Sequence, residues 1–259
     1  MIPSRRQDSI LKILDQHEKV EITQLSQTLN VAEMTIRRDL SFLEKQGFLE
    51  RIRGGAAVIK RLATEDFFVK KKLLMKEEKA AIGRKIPQFM ENNDTVFINS
   101  GTTVLQAAIN LSNFALRIIS NNPALTTIDL GRENSLIILG GEFRSESHSI
   151  VGEQAIEIIS KIHANKAIIG VDGLSIKYGL TNSCFVEAGL NSKMLEHTHG
   201  KVIVVADHTK IGKVGPFSIA PIENIDILIT TKGFPAEYGD ELAAMGITIV
   251  VSNQTEDPV

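Results

Sequence analysis

A chain of 259 residues outruns most small domains, so its length suits one large core or two unequal ones. Its 43% hydrophobic and 23% charged residues give the balance of a folded globular protein and argue against disorder, and no apolar run approaches the roughly 20 residues of a membrane-spanning helix. The net charge of −2 is unevenly spread: residues 1–60 hold ten Lys or Arg against eight Asp or Glu, and the rest 19 against 23, a tilt of the sign nucleic-acid binding requires but too small to establish it.

The N-terminus lacks the charged-then-apolar order of a secretion signal, so a cytoplasmic protein with no membrane partner is expected. Pro3 suits a first helical turn, after which Ile10, Leu11, Ile13 and Leu14 recur at helical spacing as far as His17 and Lys19. Beyond Val20 and Ile22, Thr23 can cap a short second helix ending at Leu29, and Asn30-Val31 supply a turn. The spacing of Ile36, Leu40 and Leu43 predicts a third helix over residues 33–46, with Gly47 as its stop.

With Ile36 at the centre of the buried face and about 100° per residue, Met34, Arg38, Ser41 and Lys45 point away from it, and Thr35 and Arg37 lie on the flanks. Arginine forks onto guanine edges, and Ser, Thr and Lys hold phosphates, so this face suits a helix lying in a major groove. Residues 48–51 and 52–58 then read as two short strands around a turn, a wing on which Arg51 and Arg53 can both face a phosphate backbone. Residues 1–58 are thus expected to form a small winged helix-turn-helix domain, three helices being a better indication than one amphipathic helix alone.

Residues 59–76, with Lys70-Lys71-Lys72, read as a charged linker whose cluster can touch DNA phosphates, a solvated run being the more ordinary role. A fresh helical pattern starts near Glu77, with Ala81, Ile82, Ile86, Phe89 and Met90 on one side. Strands are predicted at residues 95–98, 117–119, 136–139, 167–171, 202–205, 227–229 and 247–251, and helices at 103–111, 124–131, 153–162, 187–198 and 236–245. That alternation predicts an α/β domain over residues 77–259 with a largely parallel sheet, whose ligand sites gather at the carboxyl ends of strands.

At those ends the first strand runs through Asn99 into Ser100-Gly101-Thr102-Thr103 and a helix. Free amides and the helix dipole there favour a dianionic phosphate, although Ser100 or Thr102 could equally serve as an ordinary cap. The string is neither a Walker loop nor a dinucleotide fingerprint, and no cofactor is expected. Other strand ends bring Asn121-Asn122, Gly140-Gly141, Asp172-Gly173 and Asp207 to Lys210. Glycines admit a ligand close to backbone, Asn122 and Asp172 can bond sugar hydroxyls, and Lys210 can neutralise a phosphate. The single cysteine, Cys184, has no disulfide or zinc-cluster partner, and His197 and His199 sit two apart, which on a helix faces them to different sides, so no metal is expected.

Thr35-Ile36-Arg37-Arg38-Asp39-Leu40, Leu43-Glu44, Gly47 and Arg53-Gly54-Gly55-Ala56 resemble the N-terminal signature of DeoR-type repressors of sugar metabolism. The order Ser100-Gly101-Thr102-Thr103, Asn121-Asn122, Gly140-Gly141, Gly152, Gly170 to Gly173, Gly179-Leu180-Thr181, Glu187 and Asp207 to Lys210 is similar to that family's sensor domain, itself similar to ribose-5-phosphate isomerase. The resemblance implies that residues 100–103 hold a phosphate, that Asp172, Glu187 and Lys210 line the sugar end, and that ligand relieves repression. The chain departs from the family at two places. Ala32 stands where a capping serine is common, at a cost of about 0.5–2 kcal/mol in local helix stability, and Asn99 stands where Asp is frequent.

The expected partners are double-stranded operator DNA, a phosphorylated sugar effector and further copies of the chain as a homodimer or homotetramer, since one helix reads only a few base pairs. The competing class is an isomerase-like enzyme with an attached DNA-binding module, using Asp172, Glu187 and Lys210 as acid, base and electrostatic partner. The DNA-reading half weighs for a regulator with no catalytic residues.

Overall fold

Two hydrophobic patterns of different kinds build two separate cores. The structure is a computed structural model that describes residues 5–17, 19–45, 49–57, 74–234 and 236–252, and the chain divides into units Met1–Leu74 and Met75–Val259. The stretch 58–73, which holds Lys70-Lys71-Lys72 and most of the predicted linker, lies outside the described residues, as do Pro3, Gly47 and Phe48.

In the smaller unit, α1 (Arg5–His17), α2 (Ile22–Leu29) and α3 (Glu33–Lys45) enclose Ile10, Leu14, Leu25, Ile36, Leu40 and Leu43, all buried. Asn30 takes the left-handed conformation at the end of α2, and the Ser26 hydroxyl donates to the Val31 carbonyl at 2.7 Å, which fixes the tight turn into α3. The wing is β2 (Glu50–Ile52) and β3 (Gly55–Ala57), but β3 also pairs antiparallel with β1 (Lys19–Glu21), giving a three-stranded sheet in the order β1-β3-β2. Three residues between two helices carry too little periodicity to announce β1. Thr23 is not the cap of α2: that helix starts a residue earlier behind Glu21, and the Thr23 hydroxyl donates to the Glu21 carboxylate at 3.3 Å.

The larger unit holds a seven-stranded, wholly parallel sheet of β4 (Thr95–Ile98), β5 (Arg117–Ser120), β6 (Ser135–Ile138), β9 (Ala164–Gly170), β12 (Thr198–Val205), β14 (Ile227–Thr231) and β15 (Thr248–Ser252), in the order β15-β14-β12-β9-β4-β5-β6. Each of the seven predicted strands is a member. Phe97, Ile119, Ala167, Ile169 and Val204 join a buried cluster with Ala155 and Ile159 of α6 (Glu153–Ile159) and with Ala188 and Met194 of α7 (Phe185–Glu196). Their strand neighbours Val96, Ile98, Ile118, Ile168 and Ile203 point the other way and are equally buried, so both faces of the sheet are covered. On that second side α4 (Lys76–Arg84) packs on α5 (Thr102–Ile109). The last helix, α8 (Ala236–Ala244), packs on β15.

The helix predicted over residues 124–131 is only a 3-10 turn, Pro123–Thr127. The Thr126 and Thr127 hydroxyls donate to the Pro123 and Ala124 carbonyls, both at 2.8 Å, and so take acceptors an α-helix would need. Two small antiparallel assemblies also escape the sequence pattern: the hairpin β7 (Glu142–Arg144) with β8 (Ser149–Val151), and a sheet of β10 (Gly173–Ser175), β11 (Gly179–Asn182) and β13 (Phe217–Ala220).

Candidate functional site

In the smaller unit, α3 turns Ile36, Leu40 and Leu43 inward with no exposure, which forces the opposite face to solvent. Met34 is 71% exposed, Arg37 and Arg38 are exposed, and Thr35 and Ser41 are half-buried. Asp39, buried within the same helix, accepts from Arg6 Nη2 at 3.3 Å and Gln7 Nε2 at 3.0 Å and is also bonded by Arg6 Nε, locking α3 to α1; this carboxylate raises the Arg6 pKa above its ordinary value through the hydrogen bond first and charge second. Arg37 lies 3.5 Å from Glu33 one turn back, an exposed pair of little energetic weight.

Arg51 and Arg53 do not behave alike. Arg51 is half-buried and donates from Nη1 to the Ser41 hydroxyl at 2.9 Å, so it lies against the outward side of α3, whereas Arg53, in the turn between β2 and β3, is exposed. The side chain of Lys45 lies outside the described residues.

In the larger unit, parallel strands put every carboxyl end on one edge. Connections run from β4 out through β5 and β6, then return to β9 on the other side of β4 and continue through β12, β14 and β15. The crevice between the ends of β4 and β9 is therefore the topological switch point, where open α/β sheets bind ligands. Asn99 closes its floor: its Nδ2 donates to the Gly170 carbonyl at 2.9 Å and its Oδ1 accepts from the Gly170 amide at 2.8 Å. The departure at Asn99 thus places a two-way clasp between strands, which an aspartate could make only in part.

Just above, α5 begins at Thr102 behind Gly101, whose φ of 142° an L side chain rarely adopts, and Gly101 supplies no side-chain cap. The N-cap position is Gly101 and not Ser100 or Thr102, and the first turn of α5 points to the end of the crevice beside Ser100, Gly101 and Thr103, all half-exposed; Thr102 is buried. Asn122 is fully buried beneath this loop: its Nδ2 donates to the Gly101 carbonyl at 3.4 Å and its Oδ1 accepts from the Ala124 amide at 3.1 Å. One end of this amide holds the loop and the other caps the Pro123–Thr127 turn, so Asn122 ties the two together.

The remaining candidates lie on the same edge. Asp172, after β9, accepts from the Ser183 amide at 3.0 Å and hydroxyl at 2.6 Å. Lys210 is half-buried in the 3-10 turn His208–Lys210, which Asp207 caps through the Thr209 amide at 3.0 Å. Glu187, in the first turn of α7, is 7% exposed and accepts from the Ser149 hydroxyl at 2.8 Å. Gly141 and Gly173 are required by packing: a Cβ would lie 2.3 Å from the Val151 carbonyl oxygen and 2.6 Å from that of Lys213. Sequence reasoning passed over Arg144 and Ser149, which reach Glu187 from the β7–β8 hairpin; only their position soon after a strand end hinted at them.

The histidines form an unforeseen group, with His163 Nδ1 2.8 Å from His199 Nε2 and the His163 ring stacked on His197. Sequence placed His197 and His199 together at a helix end, but His199 lies in β12 and its partner is 36 residues away. Among the described residues no group of three or more His, Cys, Asp or Glu is arranged to hold a metal ion, and no helix is long and apolar enough to cross a membrane.

Residues 6–62 match the DeoR-like helix-turn-helix domain, and residues 75–232 match the DeoR C terminal sensor domain. The HTH-type transcriptional regulator GolR of Listeria innocua is 33% identical over 233 residues, which cover 89% of this chain and 91% of that protein. The HTH-type transcriptional repressor GlcR of Bacillus subtilis is 31% identical over 257 residues, 99% of each chain. A putative aga operon transcriptional repressor of Escherichia coli O157:H7 is 28% identical over 96% of this chain and 93% of its own. Among solved structures, ribose 5-phosphate isomerase A of Methanocaldococcus jannaschii aligns at 12% identity over 53% of this chain and 55% of that one, with a TM-score of 0.37 that is too low to carry an argument.

Proposed function

The chain belongs to the DeoR family of helix-turn-helix transcriptional regulators, and from that membership we propose that it represses a carbohydrate-utilisation operon until a phosphorylated sugar intermediate binds its larger unit. The observation that carries the effector is the glycine-led start of α5 at the switch point of a parallel sheet, where the helix N-terminus and its dipole favour a phosphate. Ser100, Gly101, Thr102 and Thr103 form that cradle, and Gly141, Asp172, Gly173, Glu187 and Lys210 ring the sugar beyond it, with Asn122 holding the loop from below.

The DNA-reading residues are Met34, Thr35, Arg37, Arg38, Ser41, Lys45, Arg51 and Arg53. Exposure of Met34, Arg37, Arg38 and Arg53 supports this, as does the Arg51–Ser41 bond, which adds a guanidinium to the outward side of α3. A homodimer or homotetramer in the cytoplasm supplies two recognition helices per operator, and ligand changes their spacing by favouring one sensor conformation.

We read the edge as a sensor without turnover. The Asp172 carboxylate is bonded to Ser183 and that of Glu187 to Ser149, an arrangement that suits holding hydroxyls. The test is a gel shift on DNA upstream of neighbouring carbohydrate genes, repeated with pentose and hexose phosphates alongside an isomerisation assay. A specific shift lost on adding one sugar phosphate is expected; turnover at enzyme rates with no specific shift overturns the reading.

A further inference from the structure

We propose that Arg144, Glu187, Ser149 and Asn121 read the hydroxyl end of the effector, and that they select a polyol monophosphate whose far end is uncharged over a bisphosphate or a phosphorylated acid. This rests on the phosphate cradle proposed above and names the chemistry of the ligand's other end.

Glu187 and Ser149 are tied to the cradle by hydrogen bonds that alternate with steps along the backbone. Asn122 Nδ2 holds the Gly101 carbonyl at 3.4 Å; its neighbour Asn121 exchanges two bonds with Ile150, its carbonyl accepting from the Ile150 amide at 2.8 Å and its Nδ2 donating back at 3.1 Å; and Ser149, next in β8, donates to Glu187 Oε1 at 2.8 Å. A ligand whose phosphate sits at α5 therefore extends towards these groups along the same carboxyl edge.

Polar atoms here are buried and uncommitted. Asn121 has no exposure, yet its Oδ1 has no hydrogen-bond partner, and neither has Arg144 Nε. One turn beyond Glu187 on the same face of α7, Asn191 is 1% exposed with both amide atoms unpartnered. Buried polar groups in folded proteins are nearly always bonded, so a concentration of orphans beside a ligand crevice marks groups that a ligand completes.

Charge decides which ligand. Arg144 Nε lies 3.9 Å from Glu187 Oε1 and its Nη2 lies 3.7 Å from Glu146 Oε2, within reach of ion pairing but too far for hydrogen bonds. One cation faces two carboxylates, leaving the cluster net negative, which repels a second phosphate or a carboxylate. A hydroxyl both donates and accepts, and it suits a place where Glu187 and Asn121 Oδ1 accept and Arg144 donates.

The experiment is calorimetric titration of the full chain with inorganic phosphate, a panel of pentose and hexose monophosphates, and the bisphosphate and phosphorylated aldonic acid matching whichever monophosphate binds. The monophosphate should bind at least tenfold tighter than either counterpart. Arg144→Gln should weaken it about tenfold with inorganic phosphate unchanged, which also shows that the variant is folded, and Glu187→Gln, which keeps a bond to Ser149, should narrow the discrimination several-fold. Equal or tighter binding of the bisphosphate, or variants that change neither affinity nor selectivity while monophosphate still binds, overturns this inference and leaves the cradle standing. If no phosphate binds at all, the cradle falls and this inference falls with it.

Discussion

Single residues here act through partners far along the chain. Asn99 bonds Gly170 from 71 positions away, and Asp39 bonds Arg6 from 33. Each residue stood out in the sequence, one as a departure from a motif and one as part of it, but its role depends on a contact that spacing cannot reveal. Asn99→Asp turns a carboxylate oxygen towards the Gly170 carbonyl, loses one bond and leaves repulsion behind, so the larger unit should lose about 1–3 kcal/mol in urea unfolding. An unchanged midpoint would mean that the clasp is dispensable. On the other unit, Arg38 is exposed on the outward side of α3, and Arg38→Ala should weaken binding to the specific operator by about 1–3 kcal/mol while leaving sugar-phosphate binding intact. Equal loss on unrelated DNA would assign Arg38 to phosphates and not to bases.

Among the elements, the seven strands of the parallel sheet were legible as short apolar runs, the central ones because they are buried on both faces and the edge strands β6 and β15 by their Leu, Ile and Val content alone. The strands β1, β7, β8, β10 and β13 were not, since three or four residues, several of them polar or glycine, show no period. The junction of strand, small-residue loop and helix at residues 95–109 was legible, but the hairpin that carries Arg144 and Ser149 was not. At that junction Thr103→Glu places a carboxylate beside the first amides of α5, where the helix dipole favours it and the intended phosphate does not fit beside it. Response to sugar phosphate should vanish in a thermal-shift assay without loss of stability; a retained response would move the phosphate elsewhere.

At the opposite, amino edge of the sheet, Lys166 of β9 donates to Asp94 at 2.6 Å, and the Glu91 amide and Asn165 side chain bond the same carboxylate. Burial pushes the Asp94 pKa up, but these bonds, led by that of Lys166, outweigh it and hold it below the usual aspartate range. A depressed folded-state value contributes stability above the unfolded pKa of about 3.9 that is lost as pH falls through the lower folded value. Asp94→Asn should therefore flatten the acid limb of stability against pH for the larger unit; an unchanged limb would place the acid sensitivity in other carboxylates.

For the molecule as a whole, the chain joins two units that fold around separate cores, and the regulatory proposal requires a ligand on one to alter DNA binding by the other. The ligand's effect on DNA can be no larger than its preference between the sensor's conformations. At 100 times its dissociation constant an effector adds about 2.7 kcal/mol to the stability of the state it binds, so unfolding followed by separate probes should show the larger unit stabilised by that amount.

The most direct measurement is fluorescence anisotropy of labelled operator with the unmodified chain and with Thr103→Glu, each titrated with the effector sugar phosphate. The unmodified complex should dissociate as effector is added, and Thr103→Glu should bind the operator equally well yet stay bound at every effector concentration. Release of DNA from both proteins at the same effector concentration would contradict the account, because the signal would then enter the molecule somewhere other than the start of α5.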